Sequence, residues 1–315
     1  MKRLLSSVLS FCLIFLALFF AGCVQEDVPT PTTVKVVGLG DSISAGYAPQ
    51  NTDLYEYYYD YLTGKTKVNQ MCFTNVVANK LVDSATKVEV KSYAESGDTT
   101  DDLVNKLNDT KTYPALLGEI KKANVITLCI GANNVLGPAL NNLMDYIAGD
   151  ITEEEIRAEM LSGYENFRDD YTNRIIPILT RGKAKVIVMT IYDPYKYFDM
   201  TEATAPVAFE ETLAQINVSF QSLKSIAIEF LDKINAYIKS QRYDNVTVVD
   251  VNANFESLSK ESYAKYLNVD ASKIVISNLI DLMGLQSNKY VDPHPTLEGQ
   301  AYIATLYENA LKDAF

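Results

Sequence analysis

An α/β fold with a parallel sheet covered on both faces is what this 315-residue sequence predicts, and three observations predict it. Most strand-like segments are apolar throughout, the pattern of strands buried on both faces. Helical segments separate each from the next, and parallel strands need such crossovers because short hairpins cannot join them. No internal repeat or low-complexity linker divides the chain beyond residue 33, so one doubly wound domain over residues 34–315 is expected.

The first strand is Val34-Lys35-Val36-Val37-Gly38-Leu39, a β-branched run ending in a Gly-rich turn. Phe73 to Val82 has helical spacing, with Val76, Val77, Ala78 and Leu81 apolar, and precedes the alternating strand Lys87-Val88-Glu89-Val90. Thr99 to Leu107 opens with a Thr-Thr-Asp-Asp helix start. Val125 to Ile130 is another continuous apolar run. Thr152 to Leu179 is strongly helical and begins with a Thr-x-x-Glu capping box. A strand over Ala184 to Ile191, a helix around Leu223 to Tyr237, a strand over Val246 to Val251 and a closing helix from about Thr296 to Leu311 complete the pattern.

The N-terminus reads differently. Lys2-Arg3 is a basic start, Leu4 to Phe20 is apolar apart from three serines, and Ala21-Gly22-Cys23 closes it. That order is a secretory leader over residues 1–22. The small pair before a cysteine resembles a bacterial lipoprotein signal, although Phe20 stands where leucine is usual. The resemblance implies a lipid on Cys23, a tether over residues 23–33 and a protein held at the extracytoplasmic side of the cell membrane. The alternative is an uncleaved anchor helix, for which the stretch is slightly short.

The formal net charge of −12 excludes a nucleic-acid partner, whose phosphates demand a basic patch. It also leaves attachment to an anionic membrane surface to acyl chains. Cys12 leaves with the leader and Cys23 takes the lipid, so only Cys72 and Cys129 remain. They either form one bridge or, since Cys129 sits in an apolar run, stay buried as thiols. With one histidine in the chain, no structural zinc cluster is expected.

Ligands of doubly wound sheets bind beyond the carboxyl ends of the strands, so the residues there carry the functional signal. After the first strand stands Gly38-Leu39-Gly40-Asp41-Ser42-Ile43-Ser44. It lacks the third glycine of a dinucleotide fingerprint and is not a Gly-x-Ser-x-Gly elbow. A serine at a strand–helix junction is either a nucleophile favoured by the helix start or a plain N-cap. After the second strand, Gly97 lets the backbone approach a ligand. After the third, Asn133 brings a neutral amide donor of the kind that stabilises an oxyanion. His294, the sole imidazole, lies in Asp292-Pro293-His294-Pro295 near the C-terminus.

In this order the blocks Gly40-Asp41-Ser42, Gly97, Gly131-Ala132-Asn133-Asn134 and Asp292–His294 resemble the SGNH (GDSL-type) hydrolases. The resemblance spans nearly all of the chain after residue 33. It implies a three-layer α/β/α sandwich around a mostly parallel, flavodoxin-like sheet. It further implies Ser42 as nucleophile, His294 as base and Asp292 as acid, with the oxyanion held by Ser42, Gly97 and Asn133. No metal or organic cofactor is implied. Two positions depart from the family pattern. Asn134 replaces an aspartate. The acid stands two residues before the histidine instead of three, where Val291 is found. Residues i and i+2 of an extended segment share a face, and the two prolines favour extension, so Asp292 still reaches the ring. A backbone carbonyl is the other group able to orient it.

The expected activity is hydrolysis of carboxylic esters in a small molecule, lipid or glycan. No stretch after the leader reads as an amphipathic lid, which favours short acyl groups. O-acetyl groups on glycans, thioesters and peptidoglycan acetyl groups all fit. Tyr55, Tyr57, Tyr58, Tyr59 and Tyr61, and later Tyr192, Tyr195, Tyr197 and Phe198, fit either an aromatic rim for sugar rings or acyl chains, or a cover for the core. The competing class is a non-catalytic, glycan-binding surface lipoprotein with a degenerate hydrolase fold.

Overall fold

Five parallel strands in the order β4-β1-β5-β6-β7 form the central sheet. They are β1 (Thr32–Gly40), β4 (Thr86–Ser92), β5 (Val125–Cys129), β6 (Lys185–Met189) and β7 (Val246–Val249). Two small antiparallel ribbons stand apart from it: β2 (Tyr58–Asp60) with β3 (Lys65–Lys67), and β8 (Leu267–Val269) with β9 (Val291–Pro295). The computed structural model describes residues 32–47, 58–60, 65–67, 72–81, 86–278 and 291–312. Residues 1–31, which include the expected leader and most of the tether, lie outside the described residues. Among the described residues no helix is long and apolar enough to cross a membrane.

Successive side chains of a strand point to opposite faces, and here both faces are buried. Val37 and Leu39, Ile126 and Leu128, and Val186 and Val188 face one core. The helices Thr100–Asn108, Leu116–Lys122, Ala132–Asn141 and Glu153–Asp170 cover it, with the second half of the long helix Val207–Ser240. Val34 and Val36, Val125 and Cys129, and Ile187 and Met189 face the other core. There the helices Phe73–Lys80, Val251–Glu256, Lys260–Tyr266 and Leu297–Lys312 close over it. This is the expected three-layer α/β/α sandwich.

The strand order is that of the flavodoxin-like fold, whose chain reverses direction across the sheet between its first and third strands. Those strands are β1 and β5, so the loops after Gly40 and Cys129 diverge and leave a crevice between them.

Two elements differ from the sequence reading. The expected helix Thr152–Leu179 keeps its capping box, Thr152 with Glu155. It then widens into a π turn at Tyr171–Ile175 before a last turn at Ile176–Leu179. Pro177 lies just past that turn and has no N–H for the carbonyl one turn back, which disfavours regular α-helix there. The helix expected around Leu223 to Tyr237 begins at Val207. Its first half packs Leu213 and Phe220 on the second core while its later part serves the first, so no single apolar stripe marks its full length. Cys72 and Cys129 are both buried and both free thiols.

Candidate active site

Gly40 ends β1 at φ +123°, and a Cβ there would lie 1.8 Å from the Cys129 carbonyl oxygen. Only glycine allows β1 and β5 to approach this closely at the crevice. The next residue starts a short helix, Ser42–Ala45, with Asp41 as its N-cap accepting from the Ile43 N–H at 3.0 Å. The Asp41 N–H in turn donates to the Cys129 carbonyl at 2.9 Å. Ser42 is thereby fixed between a main-chain bond on one side and the Asp41 side-chain cap on the other. Asp41 is fully buried, and burial pushes its carboxyl from 3.8 up to about 7, against the lowering effect of the Ile43 N–H and His294.

Ser42 meets the histidine from the far end of the chain. With the hydrogen on Nδ1, His294 accepts from Ser42 Oγ through Nε2 at 2.8 Å and donates to Asp292 Oδ1 at 2.5 Å. The backbone N–H of His294 also donates to Asp292 Oδ1, at 3.0 Å. The departure in spacing is therefore accommodated: the acid reaches the ring from two residues away because β9 is extended. Tyr47 stands edge-on against the imidazole, with ring centroids 4.5 Å apart. The His294 side chain is 21% exposed and that of Asp292 9%, so the ring is open to a ligand while the carboxylate beneath it is shielded.

The donors expected for an oxyanion stand after three adjacent strands, Ser42 after β1, Gly97 after β4 and Asn133 after β5. Gly97 adopts φ +88° in an exposed turn, and nothing lies within 4 Å of a Cβ built there. Among the described residues the N–H groups of Ser42 and Gly97 have no acceptor. Asn133 uses one amide hydrogen on the Asp98 carbonyl at 2.9 Å, which ties it to the Gly97 turn and leaves the second hydrogen available. Asn134 ties the Gly131 turn to the start of the helix Thr100–Asn108. Its Oδ1 accepts from the Thr100 N–H at 3.1 Å and its Nδ2 donates to Thr100 Oγ1 at 3.0 Å. The amide supplies both the acceptor and the donor of this tie.

Several supports of the site carry no local signal in the sequence. Lys106 is 4% exposed and reaches under the Gly97 turn, donating to Asp98 Oδ2 at 2.7 Å and to the Tyr93 carbonyl at 3.1 Å. Glu95 lies 3.3 Å away and accepts from Tyr113 OH at 2.8 Å. Burial raises the Asp98 carboxyl to about 6, with Lys106 opposing the rise. Gln300, fully buried, accepts from the Phe73 N–H at 2.9 Å and donates to the Ile43 carbonyl at 3.2 Å, bracing the nucleophile turn against the last helix. Nothing local distinguishes a lysine or glutamine that folding will bury from one left in solvent.

Of the two readings open for the aromatic residues after β6, the cover for the core is the one found. Tyr192, Tyr195 and Phe198 are buried in the second core, and Tyr197 donates to the Leu258 carbonyl at 2.7 Å. They cover the core and do not form an open sugar platform. Tyr55, Tyr57 and Tyr61 lie outside the described residues, and of Tyr58 and Tyr59 only the strand is described. Among the described residues no group of three or more His, Cys, Asp or Glu side chains is gathered as a metal site would require.

A doubly wound parallel sheet with Ser42 and His294 hydrogen-bonded beyond its strand ends defines the class as a flavodoxin-like three-layer α/β protein. The sequence matches the GDSL-like Lipase/Acylhydrolase family over residues 36–306, and the chain belongs to that family. The lipase Lip_vut3 from a goat rumen metagenome has the same fold, with TM-score 0.54 and 17% identity, covering 88% of this chain and 97% of its own. An extracellular lipase from Streptomyces rimosus aligns at TM-score 0.45 and 17% identity, over 90% of this chain and 100% of its own. A variant of Axe2, an acetyl xylan esterase from Geobacillus stearothermophilus, aligns at TM-score 0.41 and 17% identity, over 89% and 95%. No curated protein matches the sequence.

Proposed function

We propose that the chain is a serine esterase that cleaves carboxylic esters of short acyl groups through Ser42, His294 and Asp292. One observation carries this reading: the continuous series of hydrogen bonds from Ser42 Oγ through the imidazole to Asp292. In the reaction His294 Nε2 takes the Ser42 proton as Oγ attacks the ester carbonyl. The tetrahedral oxyanion is held by the Ser42 and Gly97 N–H groups and the Asn133 amide. As the C–O bond breaks, the imidazolium returns the proton to the leaving alcohol. Water, deprotonated by the same imidazole, then releases the acid and restores Ser42. Asp292 keeps the ring in the required tautomer and balances its transient charge.

The substrate class is an ester-bearing small molecule, lipid or glycan, O-acetyl groups on glycans among them. A fluorophosphonate probe should label one site per chain, absent in Ser42→Ala, and turnover should fall steeply from acetyl to octanoyl esters. No labelling would favour the non-catalytic glycan-binding alternative, and preference for octanoyl would refute the short-acyl reading. The same proposal places the domain outside the cytoplasmic membrane, with residues 1–22 removed and Cys23 carrying the lipid. Incorporation of labelled fatty acid in the parent but not in Cys23→Ser tests this, and equal incorporation in both sinks it.

A further inference from the structure

Two buried tyrosines touch the backbone that carries Asp292 and His294. Tyr192 OH donates to the Pro293 carbonyl at 3.0 Å, and Tyr195 OH to the Val291 carbonyl at 3.1 Å. These carbonyls belong to the peptide units Pro293–His294 and Val291–Asp292. Each phenol thus holds the plane directly before one of the two side chains.

Strand β9 has few other means of fixing those planes. Among the described residues it pairs only with β8, and the register breaks between Leu267 and Asn268. Pro293 and Pro295 bring no N–H, and the His294 N–H is turned onto Asp292 Oδ1. Side chains at i and i+2 share a face only while the peptide planes between them stay extended. The close spacing of this acid–base pair therefore makes it sensitive to plane rotation.

The tyrosines are themselves held in place. Tyr192, 1% exposed, stacks on Phe255 with centroids 4.6 Å apart, and Tyr195, 5% exposed, meets Phe220 edge-on at 5.3 Å. Asn235 captures both the N–H and the carbonyl of Ile191 just before them, at 2.7 and 2.8 Å. Asp193 Oδ1 accepts from the Tyr195 N–H at 2.7 Å. Burial, together with nearby carboxylates including Asp292, raises both phenols above their ordinary range, so they remain donors.

We propose that Tyr192 and Tyr195 are positioning residues for the acid–base pair, their hydroxyls locking the two peptide planes that keep Asp292 in line with the His294 ring. The role rests on the esterase reading above. The fact that the chain has one histidine gives it a test that does not require turnover. In the full chain without a histidine tag, the far-downfield Nδ1–H proton resonance reports the His294–Asp292 hydrogen bond alone. The variants are Tyr192→Phe, Tyr195→Phe, their double, and Tyr171→Phe, whose parent hydroxyl is buried with no partner among the described residues.

The double variant should lose or broaden that resonance. Its kcat on p-nitrophenyl acetate should fall about tenfold to a hundredfold with KM within about twofold, as a small misplacement of a reacting group does. Tyr171→Phe should leave both unchanged. A double variant with the parental resonance and kcat overturns the proposal, as does a parent that lacks the resonance. A parent with the resonance but no ester turnover sinks the esterase reading instead, and the clamp is then judged on the resonance alone.

Discussion

Ser42 and His294 meet at one hydrogen bond, yet they are delivered to it in different ways. Ser42 follows a nine-residue strand hydrogen-bonded on both sides, β4 on one and β5 on the other. Its turn is fixed mostly by the main chain, with Gly40 against Cys129 and the Asp41 N–H on the Cys129 carbonyl, while the Asp41 side chain caps the Ile43 N–H. His294 lies in a five-residue ribbon strand outside the main sheet, with prolines on either side of it. Its support comes from side chains: Asp292 below the ring, Tyr192 and Tyr195 below the backbone. The serine turn rests on its glycine and on main-chain bonds, with the Asp41 cap and the buried Gln300 amide as its side-chain supports. The strand that carries Asp292 and His294 is held by side chains and depends on individual hydroxyl and carboxyl groups.

That contrast breaks first at Asp292. The corresponding Asp→Asn exchange in a comparable serine hydrolase lowers turnover about 10⁴-fold, and a loss of about 10³- to 10⁴-fold is expected for Asp292→Asn. Steady-state kcat measures it. A loss below about tenfold would mean that a main-chain carbonyl can orient the ring, and the two regions would then be supported alike.

On the oxyanion side, Asn133→Ala removes a donor and the tie to the Asp98 carbonyl together. A fall in kcat of about a hundredfold to a thousandfold is expected, with a smaller change in KM. An equal loss confined to KM would show that Asn133 binds ground state and transition state alike.

The smallest effect concerns stability in the backbone-held turn. Asp41 has its carboxyl raised from 3.8 to about 7, so between those values the folded chain keeps a proton that the unfolded chain has released. This group's contribution is full below the lower value and is lost as the pH rises through the upper one. Asp41→Asn retains an acceptor for the Ile43 N–H but cannot titrate. Its Tm relative to the parent should therefore rise between about pH 4 and pH 7. Parallel Tm curves for the two proteins would remove Asp41 as the source.

The legible parts of the molecule are those with a local cause. β-branched runs at Val34–Leu39 and Val125–Ile130 become strands because they can be buried on both faces. Thr99 and Thr152 start helices because each finds its acidic partner three residues on. Asp292 and His294 share a face because two prolines keep the segment extended. What escaped has a distant cause. Lys106 is buried because Asp98, Glu95 and the Tyr93 carbonyl are brought around it. Tyr192 and Tyr195 fit a ligand rim or a core cover in sequence, and the segment after β6 turns their hydroxyls onto the β9 backbone. The long helix Val207–Ser240 escaped in its first half because its apolar side chains serve two cores in turn.

By itself the sequence determined the order of strands and crossovers, the chemical groups at each strand end and the single imidazole able to serve them. Those follow from periodicity, turn chemistry and residue type, all short-range. Only the tertiary structure decided that a hydroxyl at position 42 and an imidazole at position 294 share a hydrogen bond, and which buried side chains keep them there. Such contacts depend on packing between segments hundreds of residues apart, where burial makes each polar group seek whichever partner the fold supplies.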